Sequence, residues 1–190
     1  MLTLMTPPAL LPVDLVLAKT FLRVDHVDED VLIESFIGSA VTRIETALSR
    51  VMMTRTYRLT APADLGPLIP IKPVPVAGIL DMRVTNGQGG EVVIPPADYT
   101  LDLRREPAEL RLKSGQFSDY LAGACDVQVT FTAGYGAEPG DVPLPIRQAV
   151  LLLTAQSYEH RDQPDHPALP MMAEALLMPY RTYRLSGGRL

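Results

Sequence analysis

Apolar and polar residues alternate over Asp126–Thr132, with Val127, Val129 and Phe131 on one side and Gln128 and Thr130 on the other. That period of two marks a half-buried strand, and Gly134 and Gly136 end it. Pro145 then suits a first helical turn, where its missing N–H has no partner to lose, and Asp141 sits near the positive end of the helix dipole. The spacing predicts a helix to about Arg161. Ile146, Val150, Leu153 and Ser157 share one face, yet Leu151, Leu152 and Ala155 point elsewhere. A helix without a polar side is covered on more than one flank, by its own domain or by a neighbouring subunit.

The N-terminal third carries a different period. Asp14 fits an N-cap for a short helix from Leu15 to about Val24, and Asp28 is expected to cap a longer one. Glu29 and Asp30 load the first turn of that second helix with acid. Ile33, Phe36, Ile37, Ala40, Val41, Ile44, Ala47, Leu48 and Val51 then recur at three- and four-residue steps, a stripe that must be core. Gly38 within it costs about 1 kcal/mol relative to Ala and suggests close approach by another helix.

Between these helical regions lie short strand-like runs near Thr54–Thr60, Leu68–Lys72, Gly78–Thr85, Glu91–Ile94, Tyr99–Leu103 and Glu109–Lys113. Asn86-Gly87 is a hairpin signal between two of them. Pro7 to Pro12 is expected to be an extended arm. The five prolines of Ala61–Pro75 bar it from being a central strand in full and predict an exposed loop that adds little core. Ser114–Ala124 is irregular, and its Phe117, Tyr120 and Leu121 either serve contacts between proteins or tuck against the sheet. After a Pro-rich break, Met171 to Met178 predicts a short helix with a soft apolar surface. The whole is an α+β pattern: a helical bundle with an inserted antiparallel β-region.

Composition narrows the function classes. Of 190 residues, 47% are hydrophobic and 21% charged, as in a globular chain that can bury a full core. Seventeen basic against 22 acidic residues leave a net charge of −5, which argues against tight binding of nucleic acid. No run reaches the length of a membrane span, and the apolar N-terminus lacks a basic leader, so a soluble protein, cytoplasmic at synthesis, is expected. The single cysteine, Cys125, excludes an internal disulfide.

Catalytic and metal-binding patterns are missing. His26, His160 and His166 fit no zinc spacing, and Asp25, Asp28, Glu29 and Asp30 lack the glycine and closing glutamate of a calcium loop. Pro96, Asp98 and Glu109–Lys113 superficially resemble a nuclease carboxylate–lysine site, but Arg111 stands where a metal-binding carboxylate is needed. Neither a nucleophile elbow nor a phosphate loop occurs. The expectation is a protein that is not an enzyme and holds no cofactor or metal.

FTAGYG (Phe131–Gly136) followed by DVPLPIRQAVLLLTAQSYEHR (Asp141–Arg161) resembles the head–tail connector, or adaptor, family of long-tailed phages and gene transfer agents. LAKTFLRVDHVDEDVLIESFIGSAVTRIE (Leu17–Glu45) resembles that family's opening helical pair, and EALLMPYRTYRL (Glu174–Leu185) its closing segment. The resemblance implies one adaptor domain over residues 1–190, with a helical pair (13–51), a β-region (54–132), a central helix (143–161) and a C-terminal docking segment (170–190).

It also implies a virion protein that forms a homo-oligomeric ring of twelve copies on the portal protein. Such a ring offers its far side to the next connector, or stopper, or to a tail protein, with DNA only as passing cargo. For portal docking the expected residues are Tyr180, Arg181, Tyr183, Arg184, Leu185 and Arg189, an aromatic and arginine run without acid in an acidic chain. For subunit contacts or lumen loops they are Leu68, Ile69, Asn86, Gly87, Phe117 and Tyr120. The alternative from the residues alone is a monomeric α+β ligand- or peptide-binding module.

Overall fold

The structure is a computed structural model that describes residues 1–65, 68–86, 88–113, 120, 123–161 and 169–181. The chain forms two compact units, one from Met1–Ala9 and Met53–Ala137, the other from Leu10–Met52 and Glu138–Leu190.

The described strands of the first unit pair antiparallel. Strands β1 (Leu2–Thr6), β2 (Arg55–Pro62), β8 (Ala124–Ala133), β4 (Val76–Asn86) and β5 (Glu91–Val93) form a five-stranded sheet in the order β1-β2-β8-β4-β5. A smaller sheet has the order β3-β7-β6, from β3 (Leu68–Ile71), β7 (Ala108–Leu112) and β6 (Tyr99–Asp102). The predicted alternation in β8 holds, with Val127, Val129, Phe131 and Ala133 buried and the residues between them half-buried. Phe131 pairs in register with Tyr57 of β2, their ring centroids 5.8 Å apart. Such a cross-strand aromatic pair is a local anchor for the sheet.

β1, which the sequence reading left out, lies ahead of the Pro7–Pro12 stretch and pairs with β2 from Leu2↔Leu59 to Thr6↔Thr56. One expectation for this unit fails. The Pro-rich segment adds core after all. Ile69 and Ile71 face inward on β3 while Pro70 points to solvent, and Val74 is buried as well. β3 lies at the margin of its sheet, where a proline costs no ladder hydrogen bond.

Gly134 explains how β8 ends. Its φ is +133°, and a Cβ there would lie 2.6 Å from backbone atoms of Met53 and Thr54. The close approach is held by Thr54 N–H donating to the Gly136 carbonyl at 2.8 Å and Gly134 N–H donating to the Pro75 carbonyl at 2.9 Å. Only glycine fits.

The second unit is helical: α1 (Leu15–Leu22), α2 (Asp30–Leu48), α3 (Leu144–Glu159) and α4 (Met171–Leu177). Asp14 caps α1 as expected, its carboxylate accepting from Leu17 N–H at 2.7 Å. Asp28 does not cap α2; Glu29 holds the cap position without a side-chain bond to the helix. The stripe Ile33, Ile37, Ala40, Val41, Ile44 and Leu48 is buried. No residue from Pro145 to Tyr158 is exposed, and α1, α2 and α4 all pack on α3, so this helix is covered by its own unit. Thr154, fully buried, returns its hydroxyl to the Val150 carbonyl at 2.9 Å. Gly38 has nothing within 4 Å of a Cβ position, so close helix approach is not its reason.

Candidate functional site

The sites to be placed are contact surfaces. At the C-terminal end, α4 buries Ala173 and Leu177 and leaves Met171 and Met172 exposed, with Met178 exposed just beyond. The soft apolar surface expected from Met171 to Met178 is therefore the three methionines without Leu177. A 3-10 turn, Met178–Tyr180, comes next. Arg50 Nε donates to the Tyr180 carbonyl at 2.6 Å, and Arg181 forms an ion pair with Glu174 at 2.9 Å. Tyr180 and Arg181 are thus engaged within their own unit. Tyr183, Arg184, Leu185 and Arg189 lie outside the described residues.

The loop residues of the β-unit separate. Ile69 is buried and Leu68 half-buried on β3. Asn86 is exposed at the hairpin tip, where its side-chain oxygen accepts from Gln88 N–H at 3.0 Å and Gly90 N–H at 2.8 Å. The positive φ that the turn requires falls on Gly89, at +81°. Gly87 and Phe117 lie outside the described residues. Tyr120 donates its hydroxyl to the Asp98 carboxylate at 2.7 Å. The nuclease-like triad is structural in place: Lys113 bonds the Ala97 carbonyl with its side chain and the Asp98 carbonyl with its backbone, and Arg111 is exposed on β7.

Arg104 and Arg105, in the turn of the β6–β7 hairpin, are matched by acids. Asp102 receives Arg104 in a two-pronged contact at 2.9 and 3.1 Å, and Arg105 reaches Glu109 at 2.9 Å. The Arg104 guanidinium holds the Asp102 carboxyl below the usual carboxylate range. This matching lowers the attraction of the hairpin for phosphate.

Sequence reasoning missed a polar cluster in the helical unit. The Glu29 carboxylate receives Arg161 at 2.8 Å and the Tyr158 hydroxyl, and His26 stands 3.8 Å away. Arg161 also lies over the Tyr158 ring at 4.2 Å. Arg161 and then Tyr158 lower the Glu29 pKa, while the bond to Glu29, with burial, raises that of Tyr158. Nearby, Lys19 meets Asp30 at 2.5 Å. The two contacts tie the start of α2 to the end of α3 and to α1. The Glu29 contacts with Tyr158 and Arg161 span more than a hundred residues, so no local spacing could show them.

Among the described residues there is no group of three or more His, Cys, Asp or Glu side chains placed to hold a metal, and no helix long and apolar enough to cross a membrane.

No protein-family model and no curated protein matches the chain. Solved structures do. The chain is similar over its full length to a full chain from the neck of an empty gene transfer agent particle computed with C6 symmetry, at 27% identity and a TM-score of 0.79. It is similar over 99% of its length to 98% of a chain from the virion of a native gene transfer agent particle, at 27% identity and a TM-score of 0.82. A chain from the neck of a native gene transfer agent particle computed with C12 symmetry matches at 29% identity and a TM-score of 0.72, with both chains fully covered.

Alike end to end with components of gene transfer agent particles, the chain is a structural protein of a phage-like particle and not an enzyme. These likenesses, at 27–29% identity, are consistent with the sequence's resemblance to the head–tail connector family of long-tailed phages and gene transfer agents. The symmetric necks support an oligomeric ring within the particle.

Proposed function

We propose that this chain is the adaptor of the head–tail junction, a ring of twelve copies that docks on the portal and receives the next connector or tail protein. DNA passes through the ring as cargo. The full-length likeness to neck chains, one from a neck computed with C12 symmetry, carries this reading. Charge supports it: a chain of net −5 in which the turn arginines Arg104 and Arg105 are matched by carboxylates offers DNA little grip, as a lumen for rapid passage requires.

Docking on the portal is assigned to residues 170–190, with Tyr180, Arg181, Tyr183, Arg184, Leu185 and Arg189 as its contacts. Truncation after Arg181 tests this while retaining the Arg50–Tyr180 and Glu174–Arg181 contacts. The shortened chain is expected to melt within about 2 °C of the full chain, a shift of under about 1 kcal/mol, and to lose capture by purified portal. Undiminished occupancy on portal-bearing heads overturns the docking assignment. Absence of the full chain from necks in electron micrographs overturns the adaptor role.

A further inference from the structure

The five-stranded sheet has two different edges. β1 closes one side, and all five of its residues are exposed, with Leu2, Leu4 and Met5 near 45%. On the other side β5 covers β4 only at Arg83, Val84 and Thr85, and Ile94 N–H donates to the Met82 carbonyl as the last link. Pro95 and Pro96 come next. Neither has an N–H to give, so pairing along β4 stops there. Val76–Leu80 is left with no strand beside it on that side among the described residues, and Leu80 is 62% exposed.

Natural sheets guard open edges with charge, proline or a covering element. Here charge gathers where β4 is already covered, in the Asp81–Arg83–Glu91 ion pairs. The open stretches, Leu2–Thr6 and Val76–Leu80, contain no charged residue and no proline. Bulges between Leu4 and Thr6 and within β4 bend both edges without placing charge on them.

We propose that β1 of one copy pairs with the Val76–Leu80 edge of the next, so that the sheets join around the ring. The inference rests on the ring reading above. A closed ring needs a heterologous interface, two unlike patches on each subunit, and the opposite edges of one sheet are such a pair. The direction also fits. β2 and β8 stand between β1 and β4 in a wholly antiparallel sheet, so β1 and β4 run in opposite senses. A small rotation between neighbours in a twelvefold ring preserves those senses, and the join is an antiparallel ladder. Each side supplies five residues.

Disulfide trapping in assembled particles tests the join. In a Cys125→Ser background, which removes the exposed native thiol, Leu4→Cys is combined in turn with Ala77→Cys, Gly78→Cys, Ile79→Cys or Leu80→Cys. Gly78 accepts a side chain, since a Cβ there meets nothing within 4 Å. Within one chain the two edges are three strand spacings apart, about 14 Å. That exceeds the roughly 7 Å that a disulfide spans between Cα atoms, so every bond formed links two copies. Oxidation is expected to give, in at least one double variant, a ladder of covalent multimers on a non-reducing gel, with each single variant remaining monomeric.

Four ring-bearing double variants without a ladder overturn the join. So do dimers from Leu4→Cys alone, which report β1 against β1, and adducts with another particle protein, which assign the edge to that partner. Wild-type necks without a ring of this chain instead remove the reading on which the inference rests.

Discussion

Replacing Gly134 with Ala perturbs one methyl group and two sources of strain. A non-glycine residue held at φ +133° costs about 1–3 kcal/mol. The new Cβ also starts 2.6 Å from the Met53 carbonyl carbon and from Thr54 N and Cα. Those are backbone atoms held by the Thr54–Gly136 hydrogen bond, so relief means moving the start of β2, at about 1–3 kcal/mol for an overpacked site. The sum, about 2–6 kcal/mol, is a large share of the roughly 5–15 kcal/mol that keeps a protein folded. At about 2–4 °C per kcal/mol for a chain of this size, the melting temperature falls by roughly 5–20 °C. Calorimetry of the isolated chain reads the shift directly. A Gly134→Ala variant melting within about 2 °C of the parent refutes the close approach.

Gly38→Ala is the counterpart: its Cβ meets open space inside α2, so a gain of about 0.5–1 kcal/mol is expected by thermal melting. Ile69→Ser buries a hydroxyl where an apolar side chain was and should cost at least about 2 kcal/mol by denaturant titration, whereas half-buried Leu68→Ser costs clearly less. Because the folded state lowers the Glu29 pKa, the cluster contributes above the ordinary glutamate pKa and fades as pH falls through the lowered value; a Glu29→Gln variant should show a flatter acid limb of stability against pH. The raised Tyr158 pKa acts at the other end, with stability present below the ordinary tyrosine pKa and lost as pH rises through the raised one; Tyr158→Phe should remove that alkaline limb.

Periodicity made the helices and β8 legible, since a stripe such as Ile33–Leu48 or an alternation such as Val127–Phe131 is written by burial itself. Prolines misled where they were counted without their position. Pro70 stands outward on a marginal strand between two buried isoleucines. The Glu29 cluster was illegible because its partners are 129 and 132 residues away. Gly38 looked like a packing notch, yet sequence alone cannot tell a notch from a helix residue that merely tolerates glycine. Of the residues proposed for docking, Tyr180 and Arg181 carry contacts within their own unit that a run of aromatics and arginines does not announce.

The way the two units share the chain shapes its synthesis. α2 ends at Leu48 and its main partner begins at Leu144, with the whole antiparallel β-region between them. At about 5–20 residues per second, the nascent α2 waits roughly 5–20 s for α3 to leave the ribosome. Throughout that interval the stripe from Ile33 to Leu48 has no helix but α1 to cover it, so the growing chain is a client for chaperones that hold apolar helices. A strain short of such holdases should lose this protein at the ribosome, before any particle has begun to assemble.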